Sequence, residues 1–375
     1  MRRGIVKVAV VVLAASLVLL GTAALFLPSL LVVPRPYDEV RASGPPPRLF
    51  PAQVGSRWGF IDSTGTMVVP LQFDGAEEFS EGLALVRLNG KVAYIDESGT
   101  VALRLDKAVD ARAFSDGMAE VSEGNLWGYI DRSGTFVINP QFRWTSPFVE
   151  GIASVGKGVN DWFTIDKTGR PLSITPPDEN PPETVEFREG LSICTLTNGL
   201  SGYIDHAGRW IIKPTFSGAG HFSEGLAPAR PGGKRTKWGY IDKAGEWAIR
   251  PQFLQAGPFS EGLAPVRVFT FSFPPFKWGF IDKQGRLVIP PTYDGVAGFC
   301  DGSAFVEKEW RVGAIDRTGQ IVIPLQFNVG APYRFWGPLA PVIYSDRNRK
   351  MHRAYVNKQG QVVWASPNVV RLNVD

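Results

Sequence analysis

The sequence predicts an all-β chain built as an array of about nine small antiparallel meanders, and three observations predict it. First, "KWGYIDKAGEWAIRPQF" from Lys237 to Phe253 recurs as "KWGFIDKQGRLVIPPTY" from Lys277 and as "RWGFIDSTGTMVVPLQF" from Arg57. Second, aligning on Ile-Asp-x-x-Gly places Asp62, Asp96, Asp131, Asp166, Asp205, Asp242, Asp282, Asp316 and Asn357 in register, about 37 residues apart, a spacing typical of repeat architectures. Third, a Gly follows three residues after each of these positions, which is the spacing of a tight turn.

From the N-terminus, "MRRGIVK" is basic, and Val8 to Val33 carries no charged side chain over 26 positions. That is long enough to span a bilayer, and with Arg2, Arg3 and Lys7 on its N-terminal side it predicts a signal-anchor helix over 1–33 with a cytoplasmic N-terminus. Cleavage and secretion is the alternative. Pro34 to Arg48 then reads as a Pro-rich stalk over 34–48, and 49–375 as the repeat domain.

Within each unit, Trp58, Phe60 and Asp62 alternate onto one strand face and Gly59 and Ile61 onto the other, so Trp is expected in the core. Asp-x-x-Gly turns the chain, its carboxylate accepting backbone N–H groups, and a β-branched run then closes a hairpin near a Pro. An aromatic lies eight residues past the Gly in six copies, Phe73, Phe142, Phe216, Phe253, Tyr293 and Phe327, with packing as its expected role. The stretch "FSEGLALVR" from Phe79, repeated from Phe259, reads as a loop, a Gly bend and a further strand, which makes each unit three-stranded. The first unit opens with "LFPAQV", so the array starts and finishes in phase. An open, solenoid-like superhelix is the expected arrangement, with a closed β-propeller as the alternative.

The units resemble the WG, or KWG, β-repeat family of bacteria. The resemblance rests on Trp58-Gly59, Trp127-Gly128, Trp238-Gly239 and Trp278-Gly279, with Asp62 and Gly65, Asp131 and Gly134, Asp242 and Gly245, and Asp282 and Gly285 following them. Val92-Ala93, Ser201-Gly202, Val312-Gly313 and Arg353-Ala354 depart from it by lacking the Trp. The resemblance implies a repeat module with no general enzymatic activity.

The chain carries 40 Lys+Arg against 36 Asp+Glu without a long block of one sign, which gives no support to nucleic-acid binding. His206, His221 and His352 lack zinc-ligand spacing, and no phosphate loop or nucleophile elbow is present, so no catalytic residue, metal or cofactor is expected. Repeated acids such as Asp62 with Glu81, or Asp282 with Asp301, could line up as calcium sites, but one carboxylate per turn is better explained as a turn cap. Glu224 and Glu261 read as solvated loop acids, and Cys194 and Cys300 as small core residues.

Candidate binding loops are the places where copies break pattern. These are "FTFSFPPF", with Phe269, Phe271, Phe273 and Phe276, then Lys234 and Arg235 in "PGGKRTK", and Arg347, Arg349 and Lys350 in "SDRNRKMHR". The four Phe rings either alternate into the core or form an apolar tip for a partner. The expected function is a membrane-anchored, extracytoplasmic, non-catalytic scaffold for an envelope protein or glycan. A cell-wall carbohydrate-binding protein and a glycan-active enzyme are the alternatives.

Overall fold

The computed structural model describes residues 48–369 apart from 159–160, 173, 175–185, 234–235, 272–274, 329–334, 336, 346–347 and 349. These lie in one compact unit, Tyr37–Asp375. The expected helix over 1–33 and nearly all of the stalk fall outside the described residues. No helix occurs among those described, and none is long and apolar enough to cross a membrane.

The first repeat is a meander of β1 (Phe50–Val54), β2 (Arg57–Ile61) and β3 (Met67–Phe73). Later sheets have a fourth strand at the start, such as Asp110–Ala111, Trp144–Thr145 or Gln255–Ala256, which corrects the expectation of three. Two residues are too few to show periodicity, so this strand is invisible in the hydrophobic pattern. In two seven-stranded sheets one long strand, Trp210–Ala219 or Ile321–Asn328, ends one unit and begins the next.

The turn after β2 shows how the repeated residues act. Asp62 Oδ1 accepts the N–H groups of Thr64 at 2.8 Å and Thr66 at 3.0 Å, and Gly65 supplies a φ of 86°. Trp58 pairs with Phe73 and Phe60 with Val69, so Gly59 alone faces three residues of β3 around Pro70. The bulged strand comes so close that a Cβ on Gly59 would sit 2.4 Å from the Val69 carbonyl oxygen. This is why Gly follows Trp. The aromatics eight residues past the turn Gly are buried, whereas Trp58, Trp127, Trp238 and Trp278 are only half-buried. Trp58, Trp238 and Trp278 sit at the margins of core clusters, and Trp127 lies 4.9 Å from the Arg112 guanidinium, which corrects the placing of Trp in the core.

The core is divided among the junctions between units. Phe60, Val69 and Phe73 of the first unit pack on Phe79, Ala84 and Val86 of the second, while Tyr240, Ile249 and Phe253 of the sixth pack on Phe259, Ala264 and Val266 of the seventh. A string of nine units has eight junctions, but there is a ninth cluster, in which Leu339 and Tyr355 of the last unit meet Phe50, Ala52 and Ile61 of the first. Tyr355 Oη donates to Pro51 O at 3.1 Å and Ser366 Oγ to Gln53 O at 2.9 Å. An open array would hold these residues far apart. That expectation is corrected, and the contacts are those of the closed alternative.

Three expected outcomes test this description. Gly245 has a φ of +84° and a Cβ there would lie 2.9 Å from Ile212 Cγ2 of the preceding unit, so Gly245→Val should cost roughly 2–4 kcal/mol in urea unfolding. Asp242→Ala, which removes only the turn acceptor, should cost about 1 kcal/mol. Phe50→Ala should cost about 3–5 kcal/mol, as for any core ring. A near-zero cost would show that the first unit is a free end.

Candidate interaction surface on the seventh and eighth units

The acids of Phe-x-Glu-Gly prove to be latches between units rather than solvated groups. Glu224 accepts the Gly262 N–H of the next unit at 3.0 Å and pairs with Lys283 at 3.2 Å, and Glu261 accepts the Gly302 N–H at 3.0 Å. Glu81, Asp116, Glu150 and Glu189 repeat the bond with Gly117, Gly151, Gly190 and Gly225. The preceding Ser adds a second bond, Ser80 Oγ to Phe114 O at 2.7 Å and Ser223 Oγ to Phe259 O at 2.7 Å. Cys300 takes that place through Sγ, 3.4 Å from Phe335 O, and Cys194 and Cys300 form no disulfide. The acid and Gly both adopt positive φ, 53° and 80° at Glu81 and Gly82, so this is a two-residue turn of type I′. Among the described residues no group of three or more His, Cys, Asp or Glu is gathered as a metal site needs.

The hairpin of the seventh unit carries a different surface. Its strands Ala264–Phe269 and Phe276–Ile281 extend the ladder to a Phe269–Phe276 pair, and Thr270 N–H closes the end on Pro275 O at 2.7 Å. The rings do not alternate into the core. Phe269 is 59 % exposed, Phe276 39 % and Phe271 fully exposed, and their centroids lie 5.8 and 5.9 Å from that of Phe269. Arg267 stacks 5.5 Å from the Phe276 ring, and burial lowers its pKa. Phe273 lies outside the described residues, as do Lys234, Arg235, Arg347 and Arg349; Lys350 is exposed.

One neighbouring residue was missed in the sequence. The corresponding turn of the eighth unit is Glu309-Trp310, with φ of 51° and 63°, and Trp310 is 61 % exposed. The second unit uses Asn89-Gly90 at this turn, residues suited to positive φ, so a Trp there is costly for the backbone. Asp294 joins the two hairpins: Oδ1 takes the buried Lys277 ammonium at the base of the Phe hairpin, and Oδ2 accepts the Glu309 N–H at 2.8 Å. A bulky aromatic at a Gly-type turn position was the available signal.

A second feature is a cleft of about 420 Å³ where the ninth, first and second units meet. Trp58, Tyr355, Trp364, Glu77, Glu78 and Arg353 are among its lining residues.

The family model for the WG containing repeat matches residues 58–91, 127–158, 202–234, 238–268, 278–309 and 313–335. The chain belongs to this WG repeat family. No curated protein matches the sequence. Among solved structures, a eukaryotic initiation factor shares the fold at a TM-score of 0.56 and 11 % identity, over 85 % of this chain and 96 % of its own. BamB from Moraxella catarrhalis (12 % identity, 73 % of this chain and 92 % of its own) and Sqt1 from Saccharomyces cerevisiae (11 %, 76 % and 93 %) score 0.35 and 0.38, too low to carry a structural argument. The WG repeats thus form a β-rich scaffold resembling propeller and repeat proteins.

The turn acids make stability depend on pH. The hydroxyls of Thr64, Ser98, Ser133, Thr168 and Thr318, followed by backbone N–H groups, hold Asp62, Asp96, Asp131, Asp166 and Asp316 below the usual carboxylate range. A folded-state pKa below the unfolded one gives stability that is present above about pH 4 and lost as pH falls through the folded value. The urea midpoint should therefore decline from about pH 4 downward, and Thr64→Ala with Thr318→Val should reduce that decline.

Proposed function

We propose that this WG repeat protein is a non-catalytic interaction scaffold, anchored in a bacterial membrane through residues 1–33 with its repeat domain outside the cytoplasm, that binds an envelope protein or glycan. The observation that carries the binding surface is the exposed aromatic cluster of Phe269, Phe271 and Phe276, on a hairpin that Asp294 ties to the exposed Glu309-Trp310 turn. Exposed rings on one rigid edge are costly to leave in water and are the residue types that dominate interface energetics. Short ladders and the Asp294 bridge hold the patch in place, which lowers the entropy lost on binding. The uncharged run of Val8 to Val33 behind three basic residues supports the anchor. A glycan partner is the second reading, supported by Trp310, whose indole face can stack on a sugar ring.

Replacing Phe269, Phe271 and Phe276 by Ser tests the surface. The variant should melt with the parent, because these rings are largely exposed, and should lose affinity for its envelope partner by about 100-fold or more. Co-purification from membrane extract reads the protein partner, and sedimentation with purified peptidoglycan reads the glycan. A normally folded variant that retains every partner of the parent overturns the proposal. Turnover of glycan by the parent would instead favour an enzyme.

A further inference from the structure

Arginine recurs at one position of the repeat, and the protein satisfies it in two places but not in a third. Arg87, Arg230 and Arg267 sit on the strand after the opening strand of their units, facing Gly75, Gly218 and Gln255 across the ladder. Arg87 pairs forward with Asp110 of the third unit at 2.5 Å. Arg230 bonds back within its own unit, Nε to Ser217 Oγ at 3.2 Å and Nη2 to Ser217 O at 3.1 Å, with its guanidinium 5.5 Å from the Trp238 ring.

Arg267 has neither of these acceptors. Leu254 stands in its unit where Ser217 serves Arg230, and Gly295 stands in the following unit where Asp110 serves Arg87, as the pairs Asp110–Ser122 and Gly295–Glu307 show. What remains is Gln255 Oε1, 3.3 Å from Nη1, and the stack on Phe276. Its Nε is buried with no acceptor among the described residues. An unpaired buried donor is costly, and more so on a charged group. Burial lowers the pKa of Arg267, and Asp294, at the base of the same hairpin, already has Oδ1 on Lys277 and Oδ2 on the Glu309 N–H.

The surroundings define the acceptor that fits. A guanidinium held by a ring stack presents its N–H groups in one plane, the geometry that takes a carboxylate through two parallel bonds. Around it the surface is apolar: Leu254, whose N–H bonds Arg267 O at 2.9 Å, is 38 % exposed, and the rings of Phe269, Phe271 and Phe276 are exposed beside it. The planes of Phe271 and Phe276 meet that of Phe269 at 83° and 71°, a cluster that surrounds apolar side chains rather than a flat platform for a sugar. We infer that Arg267 receives a carboxylate of the partner, and that the segment held by the Phe hairpin is an acidic peptide whose acid is flanked by apolar residues. This rests on the reading of Phe269, Phe271 and Phe276 as the binding surface, and it names the chemistry recognised there.

The test titrates the full chain with acetyl-Phe-Glu-Phe-amide and reads the Arg267 Nε–H signal by NMR. The peptide should shift that signal saturably, and the same peptide with Gln in place of Glu should bind at least ~10-fold more weakly. Arg267→Gln should abolish the preference for Glu, and Arg230→Gln should leave it intact. Leu254→Ser supplies the hydroxyl that Arg230 finds in Ser217, so it should fold normally and weaken the Glu peptide at least ~5-fold; if Arg267→Gln does not fold, this variant decides. Equal affinity for the two peptides, binding of neither, or full affinity in the folded Leu254→Ser variant overturns the inference. A shift produced by glucuronate and not by the peptide assigns the carboxylate to an acidic glycan and overturns it too. If Arg267→Gln keeps the envelope partner that the Phe→Ser variant loses, the surface stands and only the carboxylate falls; if the Phe→Ser variant keeps it, the surface itself is wrong.

Discussion

Everything in this molecule follows from the inability of one small sheet to bury both its faces. A three- or four-stranded meander is marginal in water, because one hydrophobic face needs a partner of its own size. Here both faces are apolar: Phe60 of β2 points into the junction with the second unit, and Ile61, one residue on, into the junction with the ninth. Alternation along a single strand therefore commits each unit to two neighbours. The repeat is a consequence of that commitment, and so is the ring.

Polar groups set the register that apolar packing leaves loose. At each junction from the second unit to the eighth, an acid held at positive φ reaches the Gly N–H or the cation of the next unit, and in several a Ser hydroxyl reaches the next carbonyl. The Tyr hydroxyls of the central strands add a third bond, and burial raises the pKa of Tyr94, Tyr203, Tyr240 and Tyr355. The junction of the ninth unit with the first is built otherwise, since Gly337 stands at the acid position and Pro47 at its counterpart in the first unit.

Much of this was legible in the residues and some was not. Asp62 and Gly65 announced their turn because its chemistry is local, two bonds within four residues. The Gly beside Trp58 was visible in the sequence, but its reason, a Cβ that would strike the Val69 carbonyl of the facing strand, needed the structure. The partner of Glu224 could not be read, since Gly262 is 38 residues away and the bond depends on how units stack. Closure was hidden for the same reason: nine copies look alike whether they form a line or a circle, and what distinguishes the two is contact between the ends, such as Tyr355 with Pro51 and Ser366 with Gln53. Trp310 was overlooked because an unusual residue in a two-residue turn leaves the surrounding pattern undisturbed.

The ninth core cluster, between Tyr355 and Phe50, also bears on how the protein comes apart. A linear stack frays, because an end unit is held through one face and can leave without disturbing the rest. In a closed ring every unit is held through two faces, so the first to loosen must give up both at once. Spontaneous opening is then governed by the weakest pair of adjacent contacts rather than by position in the chain. The contacts on either side of β1, which lack the acid latch, set the lifetime of the whole assembly under heat or protease.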